Sequence, residues 1–376
     1  MRILLASRPT PTYRIGVPIE RLDVVACSIP TDAPESDGTF EWHETTIVIA
    51  IAHCDHHSGF GYTYSHPAAA HLIRKQLAQI VCQHDVTEVE AAYVAMRQST
   101  RNIGRDGIAA AAVSAVDIAL WDLKAQWLDV SLVDLIGACR TSIPVYGSGG
   151  FTSYSNDRLS EQLGAWADAG FPAVKMKVGR EPASDKERVR AARAAIGPSV
   201  SLFVDANGAL TPRQALAQAE SFLEFGVTWF EEPVSSDDLD GLRFVRNRAP
   251  AGMDIAAGEY GFDLQYFRRM ASADAVDVLQ ADATRCGGVS GFMRAAALCD
   301  AWALPLSSHT APTVHAHLCC AASRARHLEY FHDHVRIESL LFDGVVQPRG
   351  GSLAPDRSRT GLGVSIKQNA IERFAI

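Results

Sequence analysis

Ionisable side chains recur at regular intervals through the second half of the sequence, each near the end of a short apolar run. A charged group on a buried strand is costly unless it is used, so this regularity indicates a shared site. The candidates, in chain order, are Lys175 and Lys177, Asp205, Glu231 with Glu232, Glu259, Asp282, His309 and Glu329. Acids, amines and an imidazole together can bind a cation and transfer protons.

Three acids end three successive apolar runs: Asp205, Glu231 and Glu259. Oxygen ligands from separate strands suit Mg²⁺, which is octahedral and keeps positions for water or substrate. The alternative is that these acids are rim carboxylates paired with Lys or Arg. Glu232 alternates away from Glu231, so we expect it to support the ligands from behind. Asn207, two residues past Asp205, falls on the same side and is a candidate contact for the site or the substrate.

Two lysines and a histidine are the candidate bases. Lys175 and Lys177 share a strand face because side chains repeat every second residue. Mutual repulsion and burial are expected to lower the pKa of one amine, which would suit proton abstraction beside a carboxylate. A structural salt bridge to neighbouring acids is the alternative. Asp282 is expected to fix the tautomer of His309, which would face Lys177 across the site.

The elements that must position these residues follow a strand and helix rhythm from Ile143 onward. Eight apolar runs alternate with amphipathic helical segments, and eight parallel βα units close a barrel. The runs are IPVYG, AVKMKV, SLFVDAN, VTWFEEP, MDIAAGE, AVDVLQAD, LPLSSH and HLEYF. A polar side chain at the C-terminal end of a barrel strand points into the mouth, where active sites form.

The N-terminal part of the sequence predicts strands followed by helices. Residues 19–28 and 45–53 are β-branched, partly alternating runs, and Ile108–Trp127 has apolar side chains at helical spacing. The predicted organisation is of the α/β class. It has an α+β domain over residues 1–125, a (β/α) barrel over 126–340, and a segment, 341–376, that packs back on the first domain.

Composition limits the class of protein. The 376 residues are 47% hydrophobic and 21% charged, which is ordinary for a globular chain and excludes a disordered or fibrous one. A formal net charge of −8 disfavours nucleic acid. No apolar run approaches the ~20 residues that a membrane helix needs, and the opening MRILLASRP does not resemble a signal peptide. With eight scattered cysteines, we expect reduced thiols in a cytoplasmic protein.

Together these motifs resemble the enolase superfamily, in its mandelate racemase and muconate-lactonizing branch. The SAVDIALWDLK helix and the KMK, VDAN, FEEP, AAGE, QAD, SSH and HLEYF elements occur in the order of that family. The resemblance implies a modified TIM-like barrel under an N-terminal α+β capping domain, Mg²⁺ held by Asp205, Glu231 and Glu259, and a homo-oligomer. It also implies that an α-proton is removed from a small-molecule carboxylate through a metal-stabilised enolate.

The resemblance also gives each remaining residue a role. Lys177 would be the base on one face of the substrate, and His309 with Asp282 would act from the other face. Lys175 would tune Lys177 or touch the substrate carboxylate. Glu329 would hydrogen-bond the developing enolate oxygen.

The reaction that follows proton removal is open between dehydration, racemisation or epimerisation, and cycloisomerisation. Dehydration of a sugar acid is the main prediction, because the expected lid loops, residues 30–42 and 53–62, are rich in polar groups and poor in aliphatic ones. Within them, His56 and Tyr62 are candidate substrate contacts. Loops that simply face solvent are the alternative. A Schiff-base aldolase using Lys177 and a non-catalytic sugar-acid binder are two further hypotheses.

Overall fold

An antiparallel sheet of three strands opens the described part of the chain, which covers residues 16–376 of this computed structural model. The strands pair in chain order and are β1 (Arg21–Ser36), β2 (Glu41–Cys54) and β3 (His57–Tyr64). The register of β1 against β2 shifts between Pro30 and Glu35. The opening MRILLASRP, and with it the signal-peptide prediction, lies outside the described residues.

Helices pack on this sheet, and the longest is α4 (Ile108–Trp127), whose bounds the sequence predicted. Glycines on β3 allow a close approach, since a Cβ at Gly61 would lie 2.3 Å from the carbonyl oxygen of Ala115. The other helical segments are α1 (Ala68–Leu72), a π-helical turn (Ile73–Leu77), α2 (Ala78–Val81), α3 (Val89–Ser99) and α5 (Leu132–Ile136). The sheet and these helices form the N-terminal cap.

Eight parallel strands form a closed barrel, because the last of them pairs with the first. They are β4 (Ile143–Gly149), β5 (Ala173–Lys177), β6 (Ser201–Asp205), β7 (Val227–Glu231), β8 (Asp254–Ala257), β9 (Val278–Ala281), β10 (Leu306–Ser308) and β11 (Ala325–Phe331). Every predicted run is a strand, so the predicted α/β barrel is confirmed. The register places Asp205 beside both Lys177 and Glu231.

A helix follows each barrel strand. The helices are α6 (Asn156–Asp168), α7 (Pro182–Ile196), α8 (Pro212–Phe222) with a 3₁₀ turn (Leu223–Phe225), α9 (Leu239–Arg246), α10 (Leu264–Ser272), α11 (Gly288–Ala301), α12 (Pro312–Ala321) and α13 (His332–Leu341). Four of them begin at a side chain that accepts a hydrogen bond from a backbone N–H of the first turn: Ser155, Thr211, Asp238 and Asp263. Such caps fix where each strand-to-helix loop ends.

The chain after α13 contacts the cap again. It contains β12 (Phe342–Asp343), β13 (Ser352–Leu353), β14 (Ser365–Ile366) and α14 (Gln368–Phe374). The N–H of Ile376 donates to the carbonyl oxygen of Ala26 at 3.0 Å, and buried Asp122 of α4 accepts from the N–H of Leu362 at 2.7 Å. The predicted domain boundaries themselves stay a prediction. Within residues 16–376, no helix has the length and apolar character needed to cross a membrane.

The two predicted lid loops are mostly strand, which corrects the sequence interpretation. Residues 30–42 hold the end of β1 and the start of β2, and only residues 37–40 connect them. Residues 53–62 hold the end of β2, a tight turn and most of β3. β1 is an edge strand, and edge strands carry polar residues that resemble loop composition.

Gly61→Ala should lower the melting temperature. The added Cβ would meet the α4 backbone at 2.3 Å, and overpacking of this kind costs about 1–3 kcal/mol. The matched control is Gly164→Ala in α6, where the nearest atom to a new Cβ is 3.7 Å away. It should be neutral or stabilising by up to about 1 kcal/mol. Thermal unfolding followed by circular dichroism measures both, and equal melting temperatures for G61A and the unmodified protein would contradict this packing.

Candidate active site

Three carboxylates meet at the C-terminal end of the barrel. Asp205 ends β6, Glu231 ends β7 and Glu259 follows β8. All three are buried, and one oxygen of each lies within 4.8 Å of the others. Within the described part of the chain, Glu259 Oε2 has no hydrogen-bond partner, and a buried unpaired carboxylate oxygen is costly. The donor set therefore fits a hard divalent cation such as Mg²⁺.

The two lysines of β5 lie against these acids. Lys175 Nζ donates to Glu231 Oε1 at 2.5 Å and lies 2.7 Å from Glu329 Oε1, while Lys177 Nζ donates to Asp205 Oδ2 at 2.5 Å. Burial alone would lower the pKa of each amine, but the adjacent carboxylates outweigh burial and raise both pKa values above the usual range. The prediction that one pKa falls is wrong, because it considered lysine repulsion without these carboxylates.

His309 follows β10 and is held by Asp282, as the sequence suggested. Its Nδ1 donates to Asp282 Oδ2 at 2.8 Å, and its Nε2 lies 3.3 Å from Glu259 Oε2 without hydrogen-bond geometry. Burial alone would raise the pKa of Asp282, but His309 and Arg285 hold that pKa below its usual range. The ionised aspartate fixes the tautomer and orientation of the imidazole.

Both carboxylate oxygens of Glu329 have hydrogen-bond partners. Its Oε1 accepts from Ser148 Oγ at 2.6 Å, and its Oε2 accepts from the N–H of Thr310 at 2.8 Å. Burial would raise the pKa of Glu329, yet Lys175 and His309 hold that pKa below its usual range. A hydrogen bond donated from this carboxyl to a substrate oxygen would require a proton on it, so that role stays a prediction.

A cavity of about 620 Å³ opens over these groups, between the barrel mouth and the N-terminal cap. Its barrel side includes Lys177, Asn207, Glu259, His309 and Glu329. The cap contributes hydroxyl and aromatic side chains together with two acids, a histidine and a proline: Thr39, Phe40, Trp42, Thr45, Thr46, Tyr64 and Ser65, with Asp37, Glu44, His66 and Pro67. No Leu, Ile or Val lines this cavity within residues 16–376. We call residues 37–40, which connect β1 to β2 above the mouth, the roof turn.

A neighbouring cavity of about 550 Å³ is lined by Asn207, which lines the first cavity as well, and by Glu232, which does not. The N–H of Asn207 donates to Asp205 Oδ1 at 2.9 Å, so Asn207 orients a candidate ligand as well as lining both cavities. Glu232 is buried beside the carboxylates and adopts a φ of 37°, a conformation that costs a non-glycine residue energy. Its predicted supporting role is compatible with this place and stays a prediction.

The predicted substrate contacts His56 and Tyr62 are wrong. The His56 side chain is 93% exposed, at the turn between β2 and β3. That turn lies ~26 Å along β3 from Tyr64, the β3 residue that does line the cavity, at the usual rise per residue. Tyr62 is fully buried, and its hydroxyl donates to Glu338 Oε1 at 2.5 Å. Neither side chain can reach a substrate.

Several cavity residues escaped the sequence analysis. Arg285 lines the cavity and donates to the carbonyl oxygen of Glu259 at 3.2 Å. The sequence did hold a sign of this role, because Arg285 is a cation three residues after Asp282, in the turn that follows a strand. Tyr64 stacks on His334 with ring centroids 3.4 Å apart, and both line the cavity. No spacing rule joins two residues so distant in the chain, so only the fold could show this pair.

Two family models match the chain. The mandelate racemase / muconate lactonizing enzyme N-terminal domain matches residues 33–137, and the enolase C-terminal domain-like model matches residues 158–370. The chain belongs to the mandelate racemase/muconate lactonizing enzyme branch of the enolase superfamily. The resemblance stated from the motifs is thereby confirmed.

Members of this family are similar over nearly their whole length. An L-talarate/galactarate dehydratase from Salmonella typhimurium is 31% identical, covering 87% of this chain and 82% of its own. A 3,6-anhydro-alpha-L-galactonate cycloisomerase from Streptomyces coelicolor is also 31% identical, with 95% and 98% covered. A mandelate racemase/muconate lactonizing enzyme-like structure from Rubrobacter xylanophilus has a TM-score of 0.94 and 51% identity. The match covers 96% of this chain and 100% of that one. An S. coelicolor racemase structure with bound magnesium has a TM-score of 0.89 and 30% identity, and the match covers 95% of this chain and 100% of that one.

Glu231→Gln should weaken Mg²⁺ binding by roughly tenfold or more, since even residues that only orient a ligand cost this much affinity. The variant replaces a carboxylate oxygen by a neutral amide and removes the partner of Lys175. Calorimetric titration with Mg²⁺ measures the change. Glu220→Gln, an exposed position on α8, is the control and should bind Mg²⁺ like the unmodified protein. Unchanged affinity in E231Q would exclude Glu231 as a ligand.

Proposed function

We propose that the protein is a Mg²⁺-dependent dehydratase of a sugar acid. It would remove the α-proton of the carboxylate substrate and expel the β-hydroxyl group, which leaves a 2-keto acid after tautomerisation. One observation carries the proposal: an amine and an imidazole line a cavity beside three convergent carboxylates, of which Glu259 also lines it, under a roof rich in hydroxyl and aromatic groups. Dehydratases and cycloisomerases of sugar acids among the relatives support it.

Asp205, Glu231 and Glu259 would hold the ion. Their oxygen donors match the preference of Mg²⁺, and the unpaired Oε2 of Glu259 is free to bind it. The similar racemase with bound magnesium supports this choice of ion. When bound, a divalent cation supplies the positive charge that makes the α-proton of a carboxylate acidic enough for an amine or imidazole to take.

Lys177 and His309 would divide the proton transfers. They belong to strand ends three positions apart around the barrel, in the order β5, β4, β11, β10, so they reach the substrate from different sides. One removes the α-proton, and the other protonates the departing hydroxyl as a general acid. Asp282 keeps His309 in one tautomer, with Nδ1 occupied and Nε2 directed to the site.

Lys175 would act through its neighbours and not on the substrate. It is buried, it does not line the cavity, and it bridges Glu231 and Glu329. Its charge offsets the repulsion between carboxylates that must remain close together. Of the two roles that the resemblance allowed, tuning of the site therefore fits this placement better than contact with the substrate.

The substrate class follows from the roof and walls of the cavity. A lipid-like substrate would need aliphatic walls, because burial of its apolar surface is what stabilises binding. Here the cap offers the hydroxyls of Thr39, Thr45 and Thr46 with the rings of Trp42 and Tyr64. A site that hydrogen-bonds substrate hydroxyls rejects analogues that lack them. These residues support a polyhydroxylated acid, in which a β-hydroxyl is always present to leave.

Racemisation or epimerisation and cycloisomerisation use the same two bases and are the second candidate, favoured by the racemase and cycloisomerase among the relatives. A Schiff-base aldolase is disfavoured, because Schiff-base chemistry at Lys177 needs no divalent cation, whereas three carboxylates that suit one converge beside this lysine. A non-catalytic binder would not need two bases. The homo-oligomeric state and the cytoplasmic location stay predictions.

Lys177→Ala and His309→Asn should each lower turnover by at least roughly 100-fold, the usual contribution of an acid or base. Each variant should still exchange the α-proton of one epimer in D₂O, because the other base remains on its own side. Nuclear magnetic resonance of the recovered substrate measures the exchange. Normal turnover in both variants would contradict the assignment of two bases.

A panel of aldonic and aldaric acids should contain a substrate that gives a 2-keto acid, detected as its semicarbazone. The Lys177→Ala protein, purified in the same way, is the control for contaminating activity and should give none. Treatment with EDTA should abolish the product, and added Mg²⁺ should restore it. Turnover of an aromatic or N-acyl amino acid substrate, with no keto product from any sugar acid, would overturn the substrate class.

A further inference from the structure

A second group of possible metal ligands lies beside the cavity and contains none of the residues assigned above. Asp32 and Glu35 belong to the end of β1, and His332 is the first residue of α13, directly after β11. One ligand atom of each lies within 4.8 Å of the others. His332 Nε2 and Asp32 Oδ2 are 3.1 Å apart. The group therefore joins the cap to the barrel at the mouth.

Glu35 is the residue that indicates a missing ligand. It has no exposed surface, and its Oε2 accepts from the indole Nε1 of Trp42 at 2.9 Å. Its Oε1 is buried and has no hydrogen-bond partner within residues 16–376. Leaving such an atom unpaired costs about 1–3 kcal/mol, and more if it is charged.

The surrounding charges leave room for a cation. Asp333, the acid next to His332 in the chain, is already paired, since it accepts from Thr45 Oγ1 at 2.5 Å and from Arg336 Nη2 at 2.7 Å. Arg158 Nη2 is 3.6 Å from Asp32 Oδ1, beyond hydrogen-bond distance. Within residues 16–376, Glu35 forms no ion pair with a Lys or Arg side chain, and Asp32 pairs only with Arg158, at 3.6 Å, and with His332.

We propose that Asp32, Glu35 and His332 bind a structural Zn²⁺ ion, with a water as the fourth ligand. One imidazole and two carboxylates suit Zn²⁺ better than Mg²⁺, which prefers oxygen ligands alone. The ion links the end of β1 to the start of α13. The roof turn begins two residues after Glu35, and Phe331, next to His332, lines the cavity. Zn²⁺ therefore holds the roof turn on the barrel mouth.

Zinc content of the Mg²⁺-loaded protein tests the site. After incubation with Zn²⁺ and gel filtration, mass spectrometry should find one more Zn²⁺ per chain in the unmodified protein than in Glu35→Gln or His332→Asn. Asp32→Asn changes a side chain that is 39% exposed, so it tests the same ligand set with little risk to folding. His53→Asn is the matched control, because His53 also pairs with an aspartate at 3.1 Å, and it should retain full zinc.

A second measurement separates a bound ion from a merely structural carboxylate. Zn²⁺ should slow amide hydrogen exchange in the roof turn of the unmodified protein and of H53N, and should leave E35Q and H332N unchanged. The proposal is overturned if all these proteins retain equal zinc, because a water then satisfies Glu35 and His332 is an ordinary ion-pair partner. It is equally overturned if zinc is lost only with Glu231→Gln, since the ion would then occupy the catalytic carboxylates.

Discussion

Nine ionisable groups are packed almost without exposed surface at one end of the barrel, and their mutual compensation is the constraint on which the site depends. Carboxylates this close repel each other, and burial adds a desolvation cost that only excellent pairing offsets. Lys175 supplies much of that pairing by bridging Glu231 and Glu329, and Lys177 does the same for Asp205. The unpaired Oε2 of Glu259 shows that the compensation is incomplete. A divalent cation supplies what is missing, so cation affinity follows from the same electrostatics that assemble the site.

The barrel interior supports this network from below. Aromatic and small side chains fill the layer beneath the mouth: Tyr146, Ala173, Phe203, Trp229, Ala256 and Val278. Two of the rings also serve the site, because the Trp229 indole N–H donates to Glu231 Oε2 at 3.1 Å and Lys175 Nζ lies 5.4 Å from the centre of the Tyr146 ring. The aromatic layer thus excludes water beneath the carboxylates and fixes the side chains above it. Rigid support of this kind holds reacting groups in position.

The sequence predicted the residues that parallel-strand register brings together, and it failed where tertiary packing decides. Asp205 and Glu231 could be found because each ends an apolar run, and the C-terminal ends of parallel barrel strands meet at one mouth. The pKa of Lys177 could not be predicted in this way, because it depends on carboxylates from other strands. The lid was misplaced for a related reason: the polar residues around His56 belong to a strand edge and a tight turn, and only the paired register of β2 and β3 shows which end of the hairpin meets the barrel.

The division of labour between barrel and cap has a physical consequence for specificity. The roof turn lies directly on the loop that follows Asp205, since a Cβ at Gly38 would meet the carbonyl oxygen of Ala206 at 2.3 Å. No side chain larger than glycine fits there without moving one of the two segments. Side chains next to Gly38, such as Thr39 and Phe40, are therefore held at a fixed height over Asn207 and the carboxylates. Substitutions at these flanking positions can change which substrate fits while the buried charges beneath stay in place, because Thr39 and Phe40 are exposed and take no part in the lysine and carboxylate pairing.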